Sequence, residues 1–226
     1  MSVSSFNAEA VALHAKLAAM VETLVPSSAC AQMFDDVPES TMLPAEAAVI
    51  AHAVAARRLE FAAVRYCARQ ALHRIGIHPV PILPDADGAP RWPAGAVGSM
   101  THCAGYRAAV VARSHRLRGI GIDAEPHAAL PHPARDLVLR GEERARLHAL
   151  AATHGDLHWD RIVFCAKEAV YKACFPSTRR WLDYAEISVT VRAEGTFQAR
   201  LLHAEPGIAG ADLDGLAGGW VVDGGL

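Results

Sequence analysis

The stretch from Trp159 to Phe175 constrains this chain more than any other. Ile162, Ala166, Ala169, Val170 and Ala173 recur at helical spacing and predict one helix with a core-facing stripe. Glu168 and Lys172 are four residues apart and share a face. Phe164, Tyr171 and Phe175 fall on that same second face. A helix that is apolar on two sides is normally buried on two sides, so the Glu168/Lys172 pair is expected in a partly covered place. The plain alternative is an exposed ion pair worth roughly 0.2–0.5 kcal/mol.

Composition narrows the classes. A chain of 226 residues with 52% hydrophobic residues has ample core for one large domain or two small ones and is not disordered. A net charge of −2 carries no basic excess and argues against nucleic acid as the main partner. No apolar run approaches the roughly 18 residues that span a bilayer, so no membrane partner is expected. Met1 to Asn7 lacks a charged-then-apolar leader pattern, and the expected location is cytoplasmic. The 5 cysteines are scattered, and Cys67 and Cys165 lie inside helical patterns, as small core residues do in a reducing compartment. The 12 histidines form no close ligand pair, which disfavours zinc.

In chain order, residues 8–24 predict an alanine-rich helix and Ser28 to Phe34 a strand. Pro44 with Glu46 marks a helix start, and a helical pattern then runs to about Ile75, ending before Gly76. Arg58, Arg65 and Arg69 form a basic edge beside its core face, with Arg57 near the start. Such a stripe is either snorkelling surface or a grip for phosphate. Pro79 to Pro93 is a turn-rich loop. Strands are expected at Ala96 to Thr101 and Arg107 to Arg113. Leu130 to Arg135 reads as a loop and Glu142 to His154 as a surface helix. A hairpin spans Glu186 to His203, turned at Glu194-Gly195. Pro206 to Gly219 reads as a glycine-rich loop, with a strand beginning at Trp220.

Gly119 to Pro126 is the other informative stretch. As a strand it would point Ile120, Ile122 and Ala124 to the core and Gly119, Gly121, Asp123 and Glu125 the other way. Two like charges about 6 Å apart repel by roughly 3 kcal/mol at an effective dielectric near 20. Water or a bound cation removes that penalty. Bare glycines beside the acids admit a ligand to the backbone. Oxygen-only donors suit Mg²⁺ or Mn²⁺. An edge strand with solvated acids is the plainer alternative.

Taken together these signals are specific. Gly121-Ile-Asp123-Ala-Glu125, followed about forty residues on by Lys167-Glu168-Ala-x-Tyr171-Lys172, resembles the 4′-phosphopantetheinyl transferases of the larger, single-chain type. Arg57-Arg58-Leu-Glu-Phe-Ala-Ala-Val-Arg65, Trp92-Pro93 and Gly98-Ser-Met-Thr-His102 resemble the family's earlier motifs, in the right order. Thr101-His-Cys-Ala-Gly-Tyr-Arg107 and Ile122-Asp-Ala-Glu-Pro-His127 resemble most the actinobacterial carrier-protein-activating branch.

The resemblance implies an α+β fold of two similar halves related by a pseudo-twofold axis, with the active site in the cleft between them. The halves would be residues 1–118 and 119–226. It implies transfer of the phosphopantetheine arm of coenzyme A to a serine of an acyl, peptidyl or aryl carrier protein, releasing adenosine 3′,5′-bisphosphate. Such carriers serve polyketide, nonribosomal peptide, siderophore and fatty acid synthesis. By the same resemblance, Asp123, Glu125 and Glu168 would hold Mg²⁺, with Mn²⁺ as a substitute. Asp123, Glu168 and Lys172 would be catalytic, Glu168 as the serine's base and Lys172 beside the leaving phosphate. Coenzyme A would meet Arg57, Arg65, Gly88, Thr101, His102, Asp123, Lys167, Glu168 and Lys172. A monomer is expected. Tyr171 would border the pantetheine arm or the carrier.

Two departures stand out. Where many relatives carry a loop lysine, this chain has Pro84 and Ala89, with Arg91 the nearby cation. Relatives usually continue beyond the Trp220 strand into another apolar strand, whereas this sequence stops at Leu226. Two other classes compete: a non-catalytic module binding coenzyme A or a carrier protein, and a Mg²⁺-dependent phosphohydrolase acting on coenzyme A or on the loaded carrier. Both Glu168 and Lys172 are present, which the silent module does not need, and no further water-activating site is visible for the hydrolase.

Overall fold

The computed structural model describes residues 21–23, 25, 27–202 and 216–226. The helix expected over residues 8–24 falls almost wholly outside them, as does residue 203 of the expected hairpin. The described chain forms two compact units, the first ending at Ala124 and the second beginning at Glu125. The junction thus falls six residues beyond the 118/119 boundary expected from the sequence.

In the first unit a three-stranded antiparallel sheet has the order β1-β3-β2, with β1 Ser28–Met33, β2 Ala96–Cys103 and β3 Tyr106–Arg113. Helix α1 spans Pro44–Ile50 and α2 spans Ala55–Arg74. The sequence pattern reads straight across the break between them, because 51–54 contain no glycine or proline. Val54 is extended, and the Arg58 Nη1 donates to the Ala53 carbonyl at 2.7 Å. The far end of α2 follows local rules. Gly76 sits at φ +71°, the Ile77 N–H returns to the Leu72 carbonyl at 3.0 Å and the Gly76 N–H to the His73 carbonyl at 2.9 Å, which closes the helix as a left-handed glycine cap. Cys67, Ala68, Ala71 and Leu72 of α2 pack on Ala109 and Val111 of β3 to make the core. Gly98 on β2 is required by packing: a Cβ there would lie 2.7 Å from the Trp92 ring.

The second unit repeats the plan. Helices α3 (His132–Val138), α4 (Gly141–Thr153) and α5 (Trp159–Thr178) accompany a three-stranded antiparallel sheet of β4 (Ile187–Arg192), β5 (Thr196–Leu201) and β6 (Leu216–Gly219). Two expectations are corrected here. Leu130 to Arg135 is not all loop, because Pro133 falls in the first turn of α3, where the missing N–H is harmless. Leu216–Gly219 is strand, not the end of a glycine-rich loop, and the chain has left the ladder by Trp220. Gly218 suits a strand because the Phe197 ring covers it, and a Cβ would lie 2.4 Å from that ring.

Both units are fastened by the same kind of lock. Glu46, third residue of α1, accepts from the Leu43 N–H at 3.0 Å and from the Arg69 guanidinium at 2.6 Å on one oxygen. Its other oxygen accepts from the Ile82 N–H at 2.9 Å. Glu143, third residue of α4, accepts from the Arg140 N–H and from the Lys167 ammonium, both at 2.8 Å, on one oxygen. Its other oxygen accepts from the Val189 N–H at 2.8 Å. Each glutamate therefore caps a short helix, neutralises a cation from the long helix and receives a backbone donor from a third segment. All four charged side chains are buried. A buried pair survives only when its remaining lone pairs are satisfied, and here they are.

Candidate functional site

The residues singled out from sequence divide between the units. Arg57, Arg65, Gly88, Thr101, His102 and Asp123 lie in the first; Glu125, Lys167, Glu168 and Lys172 lie in the second.

The segment carrying Asp123 is not the ladder strand expected for Gly119 to Pro126, since no strand is assigned there. It is nonetheless tied at alternate residues. The Ile122 N–H donates to the Ser99 hydroxyl and the Ala124 N–H to the Thr101 hydroxyl, each at 3.1 Å. Ser99 and Thr101 are themselves alternate residues of β2, both buried. Hydroxyls thus take the place of backbone carbonyls, so the two-residue period of the sequence is real while the ladder is absent. The Thr101 hydroxyl also donates to an Asp123 carboxylate oxygen at 3.3 Å, which fixes that acid beside β2.

Arg57 and His102 meet on the partly exposed flank of α2 and β2. Arg57 Nη1 lies 3.3 Å from His102 Nε2 and 3.3 Å from the Glu60 carboxylate, and His102 Nε2 lies 3.4 Å from that same carboxylate. This cluster sets one carboxylate against the Arg57 guanidinium and an imidazole nitrogen whose role follows its tautomer, groups that a phosphate oxygen would also meet. Arg65 is different. It is buried, its Nε donates to the Ile82 carbonyl at 2.8 Å, and its guanidinium lies over the Phe61 ring. Burial pulls its pKa down to about 10. Arg58 and Arg69, the rest of the expected basic edge, are engaged by Glu39 and Glu46. Gly88 has φ +85° in the turn where Asp85 accepts from the Asp87 and Ala89 N–H groups at 3.0 Å, with open space where a Cβ would stand.

In the second unit, α5 presents Phe164, Glu168, Tyr171 and Lys172 on a half-buried face, as its two-sided pattern predicts. The Glu168 carboxylate accepts from the Tyr184 hydroxyl. Glu125 is paired with the Arg161 guanidinium at 3.4 Å. Within either unit, no group of three or more His, Cys, Asp or Glu side chains among the described residues is arranged to hold a metal ion.

Lys167, which the resemblance places at coenzyme A, has a buried ammonium that donates to the Val138 carbonyl at 2.7 Å, to Glu143 at 2.8 Å and to the Tyr184 carbonyl at 2.9 Å. An ammonium has three donors, and all three are used inside the unit. Burial lowers its pKa, against which Glu143 acts. The signal was present in the sequence: Lys167 follows Val163 by four and precedes Val170 by three, which puts it on the buried stripe. Tyr184 and Arg161 are marked by no local pattern, whereas Glu60 and Ser99 lie inside two of the quoted motifs, which assign them no role.

The described residues contain no helix long and apolar enough to cross a membrane. The sequence matches a family model described as the 4′-phosphopantetheinyl transferase N-terminal domain over residues 45–112. It matches a second, the 4′-phosphopantetheinyl transferase superfamily, over residues 119–219. It is 46% identical over 209 residues to the 4′-phosphopantetheinyl transferase PptT of Mycobacterium tuberculosis, covering 90% of this chain and 91% of that protein. It is 48% identical over 212 residues to the 4′-phosphopantetheinyl transferase Svp of Streptomyces mobaraensis, covering 92% and 86%. It is 44% identical over 213 residues to the 4′-phosphopantetheinyl transferase Npt of Nocardia iowensis, covering 90% and 95%. With both units matched in order and the resemblance running nearly end to end, the chain belongs to the 4′-phosphopantetheinyl transferase superfamily.

Proposed function

We propose that this protein transfers the phosphopantetheine arm of coenzyme A to a serine of an apo carrier protein. The observation that carries the reading is the retained acid and lysine set, Asp123, Glu125, Glu168 and Lys172, inside a chain that matches the family across both units. The serine oxygen attacks the phosphorus that bears the pantetheine. The bond to the bridging oxygen breaks, and adenosine 3′,5′-bisphosphate leaves. Glu168 takes the serine proton, directly or through a water. Lys172, one turn along α5, neutralises charge on the leaving phosphate. Arg57, His102 and Arg65 grip the nucleotide end, and Gly88 offers backbone.

Asp123, Glu125 and Glu168 are all-oxygen donors, which suits a hard divalent cation better than zinc. These three would hold Mg²⁺, which when bound supplies neutralisation of the pyrophosphate charge. Thr101 fixes the Asp123 side chain, and Arg161 holds Glu125 in place until it is needed. Lys167 does not touch phosphate in this reading; it holds α5 against α4 and the Tyr184 turn. The protein acts as a monomer in the cytoplasm, on carriers whose acidic surface it meets.

The test is intact-mass spectrometry of an apo carrier protein incubated with coenzyme A, Mg²⁺ and enzyme. A gain of one phosphopantetheine on the carrier serine is expected, with none when EDTA replaces Mg²⁺ and none with Glu168→Gln. Binding of coenzyme A without transfer would favour a silent module. Release of phosphopantetheine without attachment would favour a hydrolase.

A further inference from the structure

We infer that Tyr184 is a positioning residue for Glu168, an assignment that rests on the proposed role of Glu168 in transfer. Its hydroxyl donates to Glu168 Oε1 across sixteen residues of sequence. The phenol is held from several directions. Its backbone carbonyl receives Lys167 Nζ at 2.9 Å, so consecutive residues of α5 grip the two ends of one tyrosine. Its ring packs against Phe164, centroids 5.9 Å apart. The turn it begins, Tyr184–Glu186, is closed by Asp183, which accepts from the Ala185 N–H at 2.8 Å, and by Glu186, which accepts from the Asp183 N–H at 2.9 Å. Arg180 pairs with Glu186 and ties the turn to the end of α5.

A glutamate has three side-chain torsions, and half-buried on a helix it can swing between several rotamers. A donor fixed to the backbone frame selects one of them. It also occupies one of the roughly four lone-pair sites of the carboxylate, on Oε1. A carboxylate that must meet both a cation and a serine proton gains from having one oxygen held and the other available. The buried Lys167–Glu143 lock then has a consequence at the site: through the Tyr184 carbonyl it fixes the group that aims Glu168.

Tyr184→Phe removes the hydroxyl and keeps the ring. Three readouts are made on the full-length protein: steady-state transfer, binding of Mn²⁺ in the presence of coenzyme A followed by the signal of free Mn²⁺, and thermal melting. Loss of a hydrogen bond to a charged group predicts about a tenfold fall in kcat and a similar loosening of Mn²⁺, with KM for coenzyme A unchanged within about twofold. In a Glu168→Ala background, Tyr184→Phe should change Mn²⁺ binding no further, since no side-chain acceptor is left for the hydroxyl. Wild-type kcat and Mn²⁺ affinity in Tyr184→Phe, beside an inactive Glu168→Gln, overturn the positioning role alone. Equal losses in both backgrounds overturn it as well, because packing would act without Glu168. A fully active Glu168→Gln overturns the reading beneath it.

Discussion

Lys167 and Glu168 are consecutive on α5 and have opposite fates. Lys167 is buried, its ammonium 2.8 Å from Glu143, while Glu168 is half-buried and held by the Tyr184 hydroxyl. A motif that pairs the two letters thus joins a residue locked in the core to one on the half-buried face.

Lys167→Met is expected to destabilise the protein by about 3–5 kcal/mol, because it strands the Glu143 carboxylate inside the core. Denaturant melts check this. Adding Glu143→Gln should recover part of the loss by removing the orphaned charge. Any Lys167→Met protein that stays folded should keep its KM for coenzyme A, since all three ammonium donors are used inside the unit; a selective rise in KM with unchanged stability would return Lys167 to the phosphate.

Thr101 joins the fold to Asp123. Thr101→Val keeps the shape, removes the acceptor of the Ala124 N–H and removes the donor to Asp123. Leaving a buried N–H unmet costs about 1–3 kcal/mol. Stability should fall by about that amount and transfer should slow, while Thr101→Ser behaves as wild type in both. Equal activity of the valine and serine variants would detach Asp123 from this support.

How far the letters reach depends on whether the cause is local. Pro44, Gly76 and Gly195 mark ends and turns because their own backbone demands it, and these were legible. So was the two-sided face of α5. The break at 51–54 was not, since its own residues keep to the helical period; Val54 is extended there, and Arg58, tied to Glu39 nineteen residues away, donates to the Ala53 carbonyl. The 119–124 segment kept its alternation and lost its ladder, because the bonding partners are hydroxyls on β2, distant in sequence. Of the proposed site, the acids and Lys172 are named by the resemblance alone, while the contacts that hold two of them are not legible in the letters: Tyr184 and Arg161 reach Glu168 and Glu125 only through the fold.

Gly98→Ala should destabilise by about 1–3 kcal/mol, the usual range for overpacking, because the added methyl enters the Trp92 ring. Trp92→Leu in the same chain should relieve part of it. Melts of the two single variants and the double decide whether the clash is the cause.

The cysteines separate by burial. Burial pushes Cys30 and Cys67 up to about 12 and Cys174 up to about 11. The thiolate is the reactive form, so at pH 8 these three should be nearly inert to iodoacetamide in the folded protein, while half-exposed Cys103 and Cys165 label first. Raising the pH increases the thiolate fraction, so the slow sites should speed up about tenfold per unit below their pKa. Peptide mapping after timed labelling reads this directly. Fast labelling of Cys67 would contradict its place between α2 and the sheet.

The Arg57–Glu60–His102 cluster leads to the most selective prediction. In the protein alone, Glu60 supplies the negative charge that Arg57 meets beside His102. Under the proposed function, the 3′-phosphate of coenzyme A takes that place. Arg57→Ala should then raise KM for coenzyme A about tenfold, the usual scale for one charge-assisted hydrogen bond. It should leave KM for dephospho-coenzyme A, which lacks the 3′-phosphate, nearly unchanged, and kcat with either substrate should hold, because the contact is remote from the reacting phosphorus. Glu60→Gln removes the internal competitor and should lower KM for coenzyme A severalfold, again without effect on the dephospho form. Titrations with both substrates on the three proteins give a four-way comparison with one signature: the effects of Arg57 and Glu60 are opposite in sign and vanish together when the phosphate is absent. Equal penalties on both substrates in Arg57→Ala would place the nucleotide end elsewhere and leave the cluster as a surface ion pair that shapes the start of α2.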